Sequence, residues 1–332
     1  MANLCRLRWL LLICLEKHYL DVAAQDVQVH GYGCLEHALH IQAAIGNRRH
    51  PVGSVHSQQG AKGVNQDSAV LYQGYGIEDG AFCAVFDGHG SNGHIVSRVV
   101  RNQLPSLLLN QRKYMEWNEA LVSAFKATDK EIKLLENADC SFSGSTAVVV
   151  VKQGEDLIIA NLGDSRAILG TITENGVQAI QLTSDLKPDV PSEVDRIKKA
   201  NGRVFAHESQ PHIQRVWLPN EDVPGLAMTR AFGDFDMKSH GIIVTPEVTH
   251  RRLTPEDQFL LLACDGVWDV LSNEEVVSVV KSVKNKEAAG KAVVDEALAA
   301  WKRKFPSAKV DDCTAVCLFL QDREDSLLLP TT

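Results

Sequence analysis

Short apolar runs separated by turn residues fill the middle of the chain. Runs rich in β-forming residues lie at 81–86, 146–151, 157–161, 166–170 and 177–182, with two more at 258–264 and 314–320. The connectors Gln153-Gly154-Glu155 and Gly163-Asp164-Ser165 are too short to hold a crossover helix. The pattern therefore predicts antiparallel hairpins in this region.

Helical periodicity brackets these strands. In chain order, the predicted helices cover residues 95–104, 117–136, 192–202, 272–283 and 286–303. Ser192 and Ser272 each precede an acidic residue by three positions, which is the capping-box pattern of a helix start. Hairpins bracketed by helices predict an α+β architecture, in which antiparallel sheets are covered by helices.

Composition and charge limit the possible classes of protein. The chain has 332 residues, of which 45% are hydrophobic and 23% charged, as is ordinary for a globular protein. Its formal net charge of −8 argues against a general nucleic-acid binder, which needs a basic face. Because no repeat or long linker divides the chain, we predict one domain over 56–321. A variable, poorly ordered extension (1–55) precedes it, and a short tail (322–332) follows.

The N-terminus and the cysteines bear on the compartment. The apolar run Trp9–Leu15 is seven residues long, far short of the about 20 that span a membrane. No clear cleavage site follows it, which disfavours a signal peptide. The eight cysteines include no Cys-x-x-Cys pair, which favours reduced, buried thiols. We expect a cytoplasmic or nuclear protein without stable membrane insertion.

Acidic residues stand at three ends of apolar strands. Asp87 follows the strand at 81–86, Asp265 follows the strand at 258–264, and Asp311 with Asp312 precedes the strand at 314–320. Any one of them is read as an ordinary turn residue. Together they predict a convergent acidic site, whose oxygen ligands suit a hard cation such as magnesium, manganese or calcium. His89, two residues after Asp87, is either a proton donor at that site or a supporting surface histidine.

A dinucleotide-binding fingerprint overlaps this site. Gly88, Gly90 and Gly93 match the spacing G-x-G-x-x-G between a predicted strand and a predicted helix. Asp87 would repel a pyrophosphate unless a cation intervened, and no second parallel strand with an acidic end follows. We therefore disfavour nucleotide binding.

Eight short motifs carry a resemblance to a known family. They are Lys62-Gly-Val-Asn-Gln-Asp67, Phe86-Asp-Gly-His-Gly90, Ser143-Gly-Ser-Thr-Ala147, Asn161-Leu-Gly-Asp-Ser-Arg166, Leu182-Thr-Ser-Asp-Leu-Lys-Pro188, Gly225-Leu-Ala-Met-Thr-Arg-Ala-Phe-Gly-Asp234, Ala263-Cys-Asp-Gly-Val-Trp-Asp269 and Asp311-Asp-Cys-Thr314. In this order, they resemble the metal-dependent serine/threonine protein phosphatases of type 2C, most closely plant members, over roughly residues 57–320.

The resemblance implies a fold and an activity. The fold is two antiparallel β-sheets sandwiched between α-helices (αββα), with a dinuclear metal site at one edge. The activity is hydrolysis of phosphoserine and phosphothreonine in proteins by a water or hydroxide that bridges two Mg²⁺ or Mn²⁺ ions.

The resemblance also implies residue roles. Asp87 would bridge both ions, Gly88 would offer its backbone carbonyl, and Asp265 and Asp311 would complete the ligands. A third, weaker ion would be held by Asp164, Asp265 and Asp269. His89 matches the general acid.

Two positions depart from the family pattern. Lys62 stands where an Arg usually binds the substrate phosphate, and Lys cannot make the planar two-point contact of Arg. Gln66 stands where a Glu often reaches a metal through water, although the adjacent Asp67 remains. These departures leave open a pseudophosphatase that binds phosphoproteins with little turnover. A calcium-binding structural protein is the remaining alternative, but no EF-hand loop is present.

The segment 205–224 corresponds to the family's variable flap. His207, Glu208, His212, Arg215 and Trp217 could contact residues around a phosphosite, or Trp217 and Val216 could belong to the core. Relatives that act as abscisic acid co-receptors carry a flap Trp four residues before the Arg that matches Arg215. Pro211 occupies that place here, which argues against the hormone role. We expect a monomer.

Overall fold

The computed structural model describes the backbone of residues 27–30 and residues 37–43, 52–208 and 210–321. The segment Trp9–Leu15 and the predicted tail 322–332 lie outside these residues. Among the described helices, none combines the length and apolarity that would let it cross a membrane.

Groups of strands are separated by helices along the chain. The strands are β1 (Val27–His30), β2 (Ala38–Ala43), β3 (Gly53–Gln58), β4 (Ser68–Gln73), β5 (Gly80–Phe86), β6 (Gly88–His89), β7 (Gly144–Ser145), β8 (Ala147–Gln153), β9 (Asp156–Leu162), β10 (Arg166–Thr173), β11 (Gly176–Gln181), β12 (Arg203–Ala206), β13 (Gln214–Trp217), β14 (Pro224–Leu226), β15 (Phe232–Gly233), β16 (Glu247–Arg252), β17 (Asp257–Ala263) and β18 (Cys313–Phe319). The helices are α1 (Gly93–Arg112), α2 (Trp117–Lys133), α3 (Pro191–Lys199), α4 (Phe235–Lys238), α5 (Asp265–Trp268), α6 (Asn273–Ser282) and α7 (Ala289–Lys304), the last preceded by a 3₁₀ turn at Lys286–Ala288.

Two large sheets form the centre of the fold. One has the strand order β1-β2-β4-β5-β8-β9-β16, and the other has the order β11-β10-β17-β18-β3. The hairpins predicted from short connectors are antiparallel, as β8–β9 and β10–β11 show. The pair β2–β4 is parallel, in contrast to the other strand pairs of the two large sheets.

Side chains alternate between two buried faces along the central strands, because successive residues of a strand point to opposite sides. In β5, Phe82 and Phe86 pack against helices α1 and α2, whereas Cys83 and Val85 pack against the second sheet. Helices α6 and α7 cover the outer face of the second sheet. The αββα sandwich implied by the resemblance is confirmed.

The first described strands bear on the predicted domain boundary. Strand β3 runs across residue 55, and its Val55 is buried opposite Val316 of β18. Strand β2 adds to the first sheet through β4, with Ala38 opposite Ala69. The ordered sheet therefore begins within the segment predicted as an extension, while the rest of that division stays a prediction.

One of the two predicted capping boxes is present. Ser272 caps α6: its hydroxyl accepts from the Glu275 backbone N–H, and the Glu275 carboxylate accepts from the Ser272 N–H. The box predicted at Ser192 is wrong. Helix α3 starts one residue earlier, at Pro191, whose fixed φ suits a first helical turn, and no side chain caps it.

Candidate active site

Strand register brings the sequence-predicted acidic residues to one edge of the sandwich. Ser68 of β4 lies opposite Phe86 of β5, so Asp67 and Asp87 are neighbours just beyond the paired strands. In the second sheet, Arg166 and Ala315 both flank Ala263. Asp164, Asp265 and Asp311 therefore leave their strands at the same edge.

The carboxylates at this edge differ in exposure. Asp67 and Asp164 are buried, and Asp87, Asp265 and Asp311 are partly exposed. Ligand atoms of Asp67, Asp87 and Cys264 lie within 4.8 Å of one another. Asp269, one turn after Asp265, is exposed. The cluster is thus open to solvent on one side and closed by buried acids on the other.

Crowding raises the proton affinity of these acids. Burial raises the pKa of Asp87 well above its usual range, and the charges of Asp265 and Asp67 raise it further. The pKa of Asp265 is likewise raised by burial and then by Asp164 and Asp311. Burial raises the pKa of Asp67 to about 7. Without a compensating cation, these groups favour their neutral forms.

The donor set fits divalent cations. Within the described residues, Asp67 Oδ2 and Asp164 Oδ1 are buried with no hydrogen-bond partner, which is costly unless a further ligand satisfies them. Carboxylate oxygens are the donors that hard cations prefer. The sequence analysis missed Cys264, although it is the last residue of the predicted strand. Burial raises the pKa of this thiol well above its usual range, so it faces the cluster as a neutral group.

Gly88 and Gln66 are packed closely behind Asp87. A Cβ at Gly88 would lie under 3.0 Å from the backbone carbonyls of Gln66 and Gly93, so a glycine is required for this close approach. The Gln66 side-chain amide donates to the Gly90 carbonyl at 2.7 Å. The Gln66 backbone N–H donates to Asp312 at 2.8 Å.

Two lysines enter the acidic cluster. The exposed Lys62 forms an ion pair with Asp311. Lys187 Nζ lies 3.9 Å from Asp164 Oδ2 and 3.6 Å from Asp269 Oδ1. Burial alone would lower the pKa of Lys187, but the neighbouring Asp164 and Asp269 raise it. The sequence analysis missed Lys187, although it lies within the motif at 182–188. Lys187 lies between Asp164 and Asp269, which the resemblance assigns to a third ion.

His89 has a partner that the sequence analysis did not identify. Its Nε2 lies 2.7 Å from Oδ2 of Asp234, a fully buried carboxylate 145 residues later in the chain. Burial would lower the pKa of His89, but Asp234 outweighs it and raises that pKa. His89 Nδ1 is buried and has no hydrogen-bond partner among the residues described.

The flap folds as a small sheet of its own, β12-β13-β14. Trp217 is buried, stacks on Phe205 with ring centroids 5.1 Å apart, and donates from Nε1 to the Phe205 carbonyl. Val216 is buried too. Both side chains therefore take the packing role. His207, Glu208 and His212 are exposed, while Arg215 donates to the Gly225 carbonyl and to Gln210.

Comparisons with known proteins agree with this fold. The family model "Protein phosphatase 2C" matches residues 53–303. A probable protein phosphatase 2C from Arabidopsis thaliana (number 72) is 57% identical over 289 residues, covering 83% of this chain and 87% of the relative. A second, from Oryza sativa subsp. japonica (number 12), is 50% identical over 317 residues, covering 82% of each.

A solved structure is also similar. The serine-threonine phosphatase 2C from Toxoplasma gondii superposes with a TM-score of 0.73 at 25% sequence identity, covering 81% of this chain and 94% of that one. The chain described here belongs to the protein phosphatase 2C family.

Proposed function

We propose that this chain hydrolyses phosphoserine and phosphothreonine in proteins and depends on Mg²⁺ or Mn²⁺. The observation that carries the proposal is the crowding of carboxylates at one sandwich edge, with buried oxygens of Asp67 and Asp164 that have no partner in the described residues. Six carboxylates lie at this edge (Asp67, Asp87, Asp164, Asp265, Asp269 and Asp311), whereas Lys62 and Lys187 contribute only two ammonium groups.

The acids divide into two groups around the cluster. Asp87, Asp265 and Asp311, with the Gly88 carbonyl, would hold two ions, and Asp67 and Gln66 would support them. Asp164 and Asp269 would hold a third, weaker one together with Asp265. When bound, such cations neutralise the acids and the phosphate and lower the pKa of a coordinated water.

The remaining residues handle the substrate. Lys62, exposed beside Asp311, would neutralise phosphate charge as a point cation. Hydrolysis forms a bond from phosphorus to a water oxygen and breaks the bond to the serine or threonine oxygen, which leaves needing a proton. His89 would donate that proton from Nδ1, because Nε2 is held by Asp234. Little else is required, since phosphoryl transfer depends on positioning and charge.

The pseudophosphatase alternative is not favoured. Lys62 places a cation next to Asp311, and Gln66 donates to the carbonyl of Gly90, the residue after His89. Asp87, Asp265, Asp311 and His89 are all present. We also propose that the protein is a monomer. A location in the cytoplasm or nucleus is supported by the free, buried thiols at Cys83, Cys140, Cys264, Cys313 and Cys317.

The test is phosphate release from a phosphothreonine peptide by the full chain, with Mn²⁺ and Mg²⁺ titrated separately. We expect metal-dependent turnover that EDTA abolishes and that Asp87→Asn lacks. A folded protein that binds the phosphopeptide but releases no phosphate at any metal concentration would contradict the proposal and favour the pseudophosphatase.

A further inference from the structure

A miniature sheet holds His89 and Asp234 against each other. In the order β15-β7-β6, His89 lies opposite Gly144, and Gly144 also lies opposite Gly233. The middle strand thus separates the backbone of His89 from that of the segment leading into Asp234. Their side chains meet across it, with 2.7 Å between His89 Nε2 and Asp234 Oδ2.

Gly144 leaves the space in which the two side chains meet. A Cβ at this position would lie under 3.0 Å from both Asp234 Oδ2 and His89 Nε2. Since such distances are not tolerated, any larger residue at position 144 would force the pair apart. The contact is therefore built into three separate segments of the chain.

Asp234 is fixed more firmly than a surface acid. Its backbone is left-handed (φ 47°, ψ 47°), a conformation uncommon for residues other than glycine. Its N–H donates to the Ser143 carbonyl at 3.0 Å, and the preceding Gly233 N–H donates to Asp129 at 2.9 Å. The side chain is fully buried, and its Oδ1 has no hydrogen-bond partner in the part of the chain that is described. The carboxylate therefore uses Oδ2 for its contact with His89.

A buried carboxylate on one imidazole nitrogen fixes both the ring orientation and the nitrogen that carries hydrogen. We propose that Asp234 is the positioning residue of the proton donor: it holds the Nε2–H of His89 and leaves Nδ1, which is buried and has no partner among the described residues, as the nitrogen for the leaving oxygen. Asp234 is not among the residues that would hold metal or bind phosphate. The inference rests on the proposed role of His89 as general acid.

The test compares substrates that differ in their need for a proton. For the full chain at saturating Mn²⁺, Asp234→Asn should lower kcat on a phosphothreonine peptide by about 10- to 100-fold, a part of what general acids contribute. On an aryl phosphate with a good leaving group, the loss should stay under about 3-fold, since that group departs unprotonated. Asparagine has a similar size and tolerates the left-handed backbone.

Asp129→Asn is the matched control. Asp129 is a nearby carboxylate that contacts Gly233 and Lys238 rather than His89. Its replacement should leave the ratio of the two rates unchanged, whatever it does to stability. Equal losses on both substrates in Asp234→Asn would mean a structural role only and would overturn the inference.

His89→Gln separates this inference from the proposed function. It should produce the same selective loss, and adding Asp234→Asn to it should lower the rate little further. Selective loss in His89→Gln but none in Asp234→Asn would overturn the inference and leave the proposed function intact. Absence of metal-dependent turnover by the unaltered chain would instead contradict the proposed function.

A measurement on the unaltered protein does not depend on a variant folding. Nitrogen-15 NMR of the histidine rings should show His89 with hydrogen on Nε2 in a hydrogen bond. A neutral ring with hydrogen on Nδ1 alone would overturn the inference.

Discussion

Two groups of acids in this protein are built in opposite ways. Glu193, in helix α3, accepts two hydrogen bonds from Arg196, two from Arg230 and one from Thr229, at 2.6 to 3.0 Å. Burial would raise its pKa, but these donors, Arg230 foremost, lower it to about 2. At the sandwich edge, Asp87 and Asp265 instead face other acids, and their pKa values are raised by burial and by those acids.

The difference separates a structural acid from acids that await a ligand. A buried carboxylate with charged donors on both oxygens is stable as an anion and joins the segments that supply the donors. Carboxylates crowded without such donors raise the free energy of the folded chain until cations neutralise them. The contacts of Glu193 therefore stabilise the folded chain. The acids at the sandwich edge destabilise the metal-free chain and favour cation binding.

Replacing Asp87 should have the largest effect on activity and the opposite effect on stability from replacing Glu193. Asp87→Asn should lower turnover by about 1000-fold or more, because charge stabilisation is the main contribution at such sites. In EDTA, the variant should unfold at the same temperature as the unaltered protein or higher, because one repelling charge is gone. Phosphate release and thermal denaturation check the two parts.

Two results would contradict this contrast. Near-normal turnover would remove Asp87 from the metal site. A clear fall in the metal-free unfolding temperature would mean that Asp87 is a paired, structural acid like Glu193.

Glu193→Gln should lower the free energy of unfolding by about 3 kcal/mol at neutral pH, because two partly buried arginines lose their buried anion. Urea denaturation measures the loss. Glu155→Gln is the matched control, since the Glu155–Arg252 pair is 69% and 77% exposed. That control should lose much less stability, because solvent screens an exposed pair. Equal losses would erase the distinction between the two kinds of acid.

The same substitution predicts a pH dependence. The folded-state pKa of Glu193 is about 2, below its ordinary value of 4.5. Its contribution to stability is therefore complete above pH 4.5 and is lost as the pH falls toward 2. The difference in unfolding free energy between the unaltered protein and Glu193→Gln should shrink over that window. A difference that stays constant down to pH 2 would contradict the low pKa.

Local pattern predicted most of the fold. Continuous apolar runs such as 81–86 became central strands because both faces of each sheet are covered, and short connectors determined the antiparallel hairpins. The local rule failed at Ser192. There Pro191 starts the helix, and the neighbouring Glu193 turns inward to two arginines, one of them 37 residues away.

The acids of the site were predictable, but their partners were not. Asp87, Asp265 and Asp311 each adjoin an apolar strand, so strand ends alone brought them together. The contacts His89–Asp234 and Lys187–Asp269 join residues 145 and 82 positions apart, and no local period connects them. Strand β2 escaped prediction because it joins β4 in parallel without a short connector.

Lys187 places an ammonium group among the acids at the sandwich edge, where it can compete with a divalent cation. Lys187→Met should tighten binding of the weakest divalent ion by about 10-fold, equivalent to about 1.4 kcal/mol, since Asp164 and Asp269 lose a competing ammonium. Calorimetric titration with Mn²⁺ gives the affinity and the number of ions. Lys291→Met, which removes an exposed lysine paired with Asp295, is the control and should change neither. Weaker ion binding in Lys187→Met would show that Lys187 supports the site instead of competing for it.

Gln66→Glu should have the smallest effect, because it adds one acid at the margin of the cluster. The new charge should lower the Mn²⁺ concentration that half-saturates the protein by about 3-fold, as expected for a charge acting through water. The gain is limited because glutamate cannot donate the bond that Gln66 makes to the Gly90 carbonyl. Thermal stabilisation at rising Mn²⁺ concentration measures the shift, and Gln178→Glu adds the same charge on the exposed surface of β11 as a control. An unchanged half-saturating Mn²⁺ concentration would mean that losing the bond to Gly90 cancels the gain from the new carboxylate. It would also mean that an added acid at this edge favours cation binding only where it is buried.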